Sequence, residues 1–133
     1  MSNDGMSEYN VTVYYHDTDC GGVVYYANYL KHLEEGRTEY CLARGVDVGK
    51  LFQKDIAFVV VAAQIDYKAP AGYGDKVTII TRVEKIGNSS IHFHQEIKKG
   101  QLLLIKAKIV WTCVSREFKT IAVPEEIKKA LLN

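Results

Sequence analysis

The sequence predicts an α+β fold in which one antiparallel five-stranded sheet packs on a single long helix. Three observations carry this. One segment, from Tyr26 to about Arg44, repeats its apolar residues at three- and four-residue steps. Five other segments are rich in β-branched and aromatic residues. Short polar turns separate the last four of them. The expected order is strand, long helix, then a four-stranded meander. One helix cannot cover both faces of such a sheet, so the other face needs a partner.

The first strand is expected over Tyr9–Tyr15, with Tyr9, Val11, Val13 and Tyr15 on one face and Asn10, Thr12 and Tyr14 on the other. His16 to Gly22 follows as a polar, Gly-rich loop. In the long helix, Tyr26, Tyr29, Leu30, Leu33, Arg37, Tyr40 and Cys41 form the apolar stripe. Lys31, Glu34, Glu35, Thr38 and Glu39 lie opposite, and Arg44-Gly45 supplies a stop. Gly36 beside the stripe lets the helix lie close to a sheet. A short second helix fits Val46–Lys54.

Ile56–Lys68 is an almost unbroken Val- and Ile-rich run, expected as a largely buried strand. Ala69–Asp75 is a turn, and Lys76–Ile86 a strand with Val77, Ile79, Thr81 and Val83 on one face. Gly87-Asn88-Ser89 turns into a strand over Ser90–Lys98, and Lys99-Gly100 into another over Leu102–Ser115. Leu103, Ile105, Ala107, Ile109, Trp111 and Cys113 line the apolar face of that last strand. Pro124–Lys129 closes the chain as a short helix.

The 133 residues suit one domain over 1–133, with residues 1–7 expected as a disordered N-terminus. A domain this size buries only about 65–70% of its unfolded surface, so oligomerisation would help. Net charge is +1, against wholesale nucleic-acid binding. The charge is uneven: residues 1–66 hold five Lys/Arg and ten Asp/Glu, whereas residues 67–133 hold twelve and six. A basic second half suits either an ordinary solvated surface or a phosphorylated ligand. Cys20, Cys41 and Cys113 have no CxxC spacing, which suggests neither a zinc site nor a disulfide framework and fits reduced thiols in the cytoplasm. No signal peptide or membrane-length apolar run is visible. His92 and His94 share a strand face, but no further ligands are spaced for a metal.

The chemistry-bearing residues sit in His16-Asp17-Thr18-Asp19-Cys20-Gly21-Gly22, between the first strand and the helix. Unpaired N–H groups at a helix start favour negative charge and can hold an oxyanion. A carboxylate beside them can activate water or attack a carbonyl. An acid there can equally be a plain helix cap. His16 and His32 are further candidates near the site, and either can be a surface residue. Tyr14, Tyr25, Tyr26 and Tyr29 surround the loop, to shape a pocket or to pack the core.

The string Asp17 to Leu30, D-T-D-x-x-G-V-V-Y-x-x-N-Y-L, followed by E-x-x-R-T-E-Y over Glu34–Tyr40, closely resembles the 4-hydroxybenzoyl-CoA thioesterase and YbgC-like family. Ile65–Ala71, Gly74-Asp75 and Arg82–Ser90 resemble its later strands more loosely. The resemblance implies the hotdog fold, a homodimer on a shared sheet, often a homotetramer, and hydrolysis of an acyl-CoA thioester without metal or organic cofactor. It implies Asp17 as the catalytic carboxylate, as base or nucleophile, and the backbone N–H groups of Val24 and Tyr25 as the oxyanion hole. Asp19, Gly22, Tyr26 and Asn28 are implied as loop and pocket support. Arg82, Lys85, Asn88, Ser89 and Ser90 are candidates for the CoA phosphates, or a plain hairpin turn. Many YbgC-like members carry histidine where this chain has Tyr26, so that helper for Asp17 is missing. The acyl group stays open, as does CoA against acyl-carrier-protein thioesters. The alternatives are a non-hydrolytic acyl-CoA or acyl-carrier-protein binding module and a hotdog dehydratase. The latter usually leans on a histidine near the central helix, where only His32 is available.

Overall fold

A computed structural model describes residues 5–19, 22, 23 and 27–132. Its strands are β1 (Met6–Thr12), β2 (Ala57–Tyr67), β3 (Lys76–Ile86), β4 (Ser90–Lys99) and β5 (Leu102–Val114). They form one antiparallel sheet in the order β1-β3-β4-β5-β2. Three helices accompany it: α1 (Asn28–Ala43), α2 (Val48–Gln53) and α3 (Glu125–Leu131). The sheet wraps the long helix α1, which is the hotdog arrangement.

Strand order departs from the expected four-stranded meander. β3, β4 and β5 do form one, but β2 does not lie beside β3. That edge of β3 is taken by β1, from Met6 opposite Arg82 to Thr12 opposite Lys76. β2 pairs instead with the far side of β5, from Ala57 opposite Val114 to Tyr67 opposite Ile105. α1 therefore carries the chain from one sheet edge to the other. At that outer edge β2 is not largely buried: Val60 and Val61 are at least half exposed. A bulge between Val60 and Ala62 interrupts its register.

β1 also begins and ends earlier than Tyr9–Tyr15. Met6 and Ser7, expected in an irregular N-terminus, pair with β3, and Arg44 Nη1 donates to Ser7 Oγ at 2.7 Å. After Thr12 the chain leaves the ladder. Val13 N–H donates to the Asp75 carbonyl, and Gly74 N–H donates to that of Val13. Tyr15–Asp17 then wind into a single 3-10 turn. Tyr14 and Tyr15 end up exposed rather than packed.

α1 stops as expected. Gly45 takes φ +80, its N–H donates to the Leu42 carbonyl, and Val46 N–H donates to that of Cys41. Its buried face is rotated from the expected stripe. Leu30 is half exposed, whereas His32 and Gly36 are buried. A methyl on Gly36 would stand 2.6 Å from Ile79 Cγ2 and 3.0 Å from Thr81 Oγ1, so the helix approaches the sheet as closely as a glycine allows.

Beneath Gly36 runs a polar network within the core. Gln95 Nε2 donates to the Leu33 carbonyl and to Thr81 Oγ1, and Arg37 Nη1 donates to Gln95 Oε1. Burial pushes the Arg37 guanidinium down to about 10, against an opposing pull from Glu34 and Cys41. The apolar core around it is built by Leu33, Tyr40, Ile79, Ile91, Phe93, Ile105 and Ile109. Within it Phe93 meets Trp111 edge-on, with ring centroids 4.7 Å apart.

Candidate active site

The Tyr15–Asp17 turn lies where β1 leaves the sheet. It is tied to the connection between β2 and β3. Besides the Val13 bonds, Tyr73 N–H donates to the Gly22 carbonyl, and Val23 bridges Gly72. Gly22 takes φ +82, which a side chain at that position would resist. Asp75 stiffens the connection: its Oδ2 accepts from Gly72 N–H at 2.8 Å and its Oδ1 lies 3.1 Å from Lys99 Nζ. The Gly72 bond first, then Lys99, hold the Asp75 carboxyl below its ordinary value. From the helix side, Tyr29 Oη accepts the Ala71 N–H at 2.9 Å.

Asp17 sits inside this frame and is only 1% exposed. Its Oδ2 accepts from Tyr14 N–H at 2.9 Å, across the 3-10 turn. Its Oδ1 faces three nitrogens: Lys31 Nζ at 2.7 Å, His16 Nδ1 at 3.5 Å and His32 Nε2 at 3.5 Å. Burial raises its carboxyl, but the Lys31 hydrogen bond, the Tyr14 N–H and the charges of His32 and Lys31 outweigh it and hold the group below its ordinary value. Asp17 is therefore a buried, ionised carboxylate with its orientation fixed at both oxygens.

Asp17 does not cap α1. The N-cap is Ala27, with no side-chain cap bond. Asn28 works in the other direction: its Nδ2 donates to the Asp17 main-chain carbonyl at 2.9 Å, fixing the loop to the first turn of α1. Asp19 braces the loop through its backbone. Its N–H donates to the Val23 carbonyl, and its carbonyl accepts from Gly22 N–H. Val24, Tyr25 and Tyr26 lie outside the described residues, as does Cys20.

Lys31 and His32 are the partners of Asp17 that sequence reasoning did not assign. Helical periodicity puts Lys31 on the solvated side of α1 and leaves His32 open between pocket and surface. The signal was present in the spacing. Asn28, Lys31 and His32 stand at i, i+3 and i+4, so a helix that turns Asn28 to the loop brings the other two with it. His32 in turn has Nδ1 3.2 Å from Glu35 Oε1. His16 is mostly exposed and stacks on Tyr14, with ring centroids 6.0 Å apart.

The candidate CoA-phosphate residues are not brought to Asp17 within one chain. Thr12 pairs with Lys76 at the start of β3, whereas Lys85 and Asn88–Ser90 lie at its far end. β3 is eleven residues long, so its ends lie about 33 Å apart. The turn is held from behind: Val123 N–H donates to the Asn88 carbonyl and Cys113 N–H to that of Ser89. Arg82 stands on the outer sheet face, 3.9 Å from Glu84.

The two cysteines among the described residues, Cys41 and Cys113, are buried and free. Burial pushes the Cys41 thiol up to about 12 and raises that of Cys113, which makes poor nucleophiles of both. The described residues contain no cluster of three or more His, Cys, Asp or Glu able to hold a metal ion. No described helix is long and apolar enough to cross a membrane.

Comparison with known proteins gives a consistent picture. Residues 21–111 match the thioesterase superfamily. The chain is 38% identical to the acyl-CoA thioesterase YbgC of Haemophilus influenzae, over 98% of this chain and 96% of that one. It is 31% identical to the 1,4-dihydroxy-2-naphthoyl-CoA hydrolase of Nostoc punctiforme, over 90% of this chain and 82% of that one. The crystal structure of a 1,4-dihydroxy-2-naphthoyl-CoA thioesterase from Synechocystis superposes with a TM-score of 0.89 at 26% identity, covering 97% of each chain.

Proposed function

This chain belongs to the thioesterase superfamily, and from that premise we propose that it hydrolyses acyl-CoA thioesters with Asp17 as the reacting carboxylate. The observation that carries the reading is the buried, ionised Asp17, aimed by Tyr14 N–H and Lys31 and tied by Asn28 to the start of α1. A carboxylate in such a place can take a proton from water or attack the thioester carbonyl directly. The oxyanion that forms is assigned to the N–H groups of Val24 and Tyr25, ahead of α1. A CoA thiolate leaves readily, so its departure needs no strong acid. Gly22, Asp19 and Asn28 keep the loop in place, and Tyr26 is assigned to the pocket wall.

The test is Asp17→Asn, assayed for thiol release across short, medium-chain and aromatic acyl-CoAs. The expected result is a native fold by circular dichroism and a loss of kcat of about 10²–10⁴-fold. Hydrolysis at the wild-type rate by that variant would overturn the assignment. The same panel identifies the acyl group.

We also propose that the chain works as a homodimer joined along β2. β2 is a long strand at the sheet edge with half-exposed valines, and such an edge invites pairing with a second copy. The CoA-phosphate role of Arg82, Lys85, Asn88, Ser89 and Ser90 depends on such a copy, because within one chain the turn is remote from Asp17. Reversing the charge at Lys85 and Arg82 should raise KM for acyl-CoA while leaving kcat largely intact.

A further inference from the structure

His32 is buried on the side of α1 that faces the Asp17 turn. Its two ring nitrogens each meet a carboxylate: Nε2 is 3.5 Å from Asp17 Oδ1, and Nδ1 is 3.2 Å from Glu35 Oε1. Ionised Glu35 can only accept, so the Nδ1 facing it carries the hydrogen. In the neutral ring, Nε2 is then a bare acceptor. Among the described residues it has no hydrogen-bond partner, although it is buried. A buried acceptor without a donor is unfavourable. This one gains a donor when Asp17 is protonated.

We propose that His32 is the second proton acceptor of the hydrolysis: Asp17 takes a proton from the attacking water, and His32 Nε2 takes it on from Asp17 while Glu35 holds Nδ1–H. This rests on Asp17 as the reacting carboxylate, and it selects the general-base role over direct attack. In the first step a water O–H bond breaks, the hydroxide oxygen bonds to the thioester carbon, and the proton passes through Asp17 to Nε2. In the second the C–S bond breaks and the thiolate recovers the proton by the same route. Nothing is oxidised or reduced, and the residues return to their starting state.

The imidazolium formed in between lies between two carboxylates. The titratable and charged groups that face it are Asp17 on the turn and Glu35 on α1, with His16 and Lys31 on the same Asp17 oxygen; Tyr9 on β1 lies on the Glu35 side, where burial and then the Glu35 and Glu39 charges raise its hydroxyl. Lys31 is bound to the same Asp17 oxygen, but its side chain is partly exposed and is free to move to solvent as the carboxylate loses its charge.

Only one protonation state then works: Asp17 ionised with His32 neutral. The acid limb of log kcat/KM against pH should fall through two proton steps in the wild-type protein. His32→Gln cannot take the proton. It should lower kcat about 100-fold, change KM little, and reduce the limb to one step. Glu35→Gln removes a charge that favours the imidazolium, so its limb should move to lower pH. A wild-type limb with one step, a His32→Gln kcat within about twofold of wild type, or a Glu35→Gln limb that stays put or moves to higher pH overturns the proposal. Should His32→Gln lose its fold by thermal denaturation, the wild-type and Glu35→Gln profiles decide. Asp17→Asn separates the two readings. If it keeps turnover, the Asp17 assignment fails and this one with it. If it is inactive while His32→Gln matches wild type, only the relay fails.

Discussion

Lys31 Nζ lies 2.7 Å from Asp17 Oδ1, pairing a cation on a 44% exposed side chain with a carboxylate that is 1% exposed. The exposed partner holds the buried one in its charged form. Replacing Lys31 by Met keeps the stem and removes the ammonium. A buried acceptor then loses its best donor, at a cost of about 1–3 kcal/mol. Urea denaturation should read that loss. The acid limb of the activity profile should also move to higher pH, because Lys31 no longer favours the ionised carboxyl.

The same depression of the Asp17 carboxyl makes stability depend on pH. Its folded value lies below the ordinary 3.8. A group depressed on folding contributes stability above its unfolded value and loses it as pH falls through the folded one. The melting temperature of the wild-type protein should therefore fall more steeply below about pH 4 than that of Asp17→Asn. Melting curves from pH 2 to 7 check this.

β2 should respond to charge at its exposed edge. Val61, at the bulge, is 57% exposed in the single chain. If β2 pairs with a second copy, Val61→Asp places like charges close together across the joint. Light scattering after size exclusion should show a shift from dimer to monomer, with far-ultraviolet circular dichroism retained. A dimer of unchanged affinity would remove β2 as the joint.

Cys41 and Cys113 should be silent to thiol reagents in the folded protein, since both are buried and both thiols are raised. Mass spectrometry after native alkylation should find both unmodified, and after denaturation both labelled. The result also matters for any assay that detects released CoA by its thiol.

Much of this architecture is written in local patterns. The bounds of β3 match their expectation, and the alternation along β5 from Ile105 to Cys113 marks its buried side. The stop at Arg44-Gly45 follows from glycine chemistry. What local patterns do not carry is which strands become neighbours. The apolar run of β2 reads as buried, yet an apolar strand at the sheet edge has the same composition as one covered on both sides. The site divides in the same way. Asp17 and Asn28 stand in one contiguous string, and the helical spacing from Asn28 points to Lys31 and His32, but the place of Glu35 on the far ring nitrogen of His32 becomes legible only once the turn folds back on α1.

The missing methyl at Gly36 has a consequence for how this protein tolerates change. Gly36 follows Glu35 directly and stands one helical turn beyond His32, on the face pressed against Ile79, Thr81 and Gln95. The height of α1 above the sheet therefore also sets how far His32 and Lys31 reach toward Asp17. A side chain swelling by one carbon under the helix would lift these groups together, without touching any of them. In a library screened for folded but inactive variants, positions 79, 81 and 95 should recur beside those of the loop itself, because errors in the floor are read out at the site.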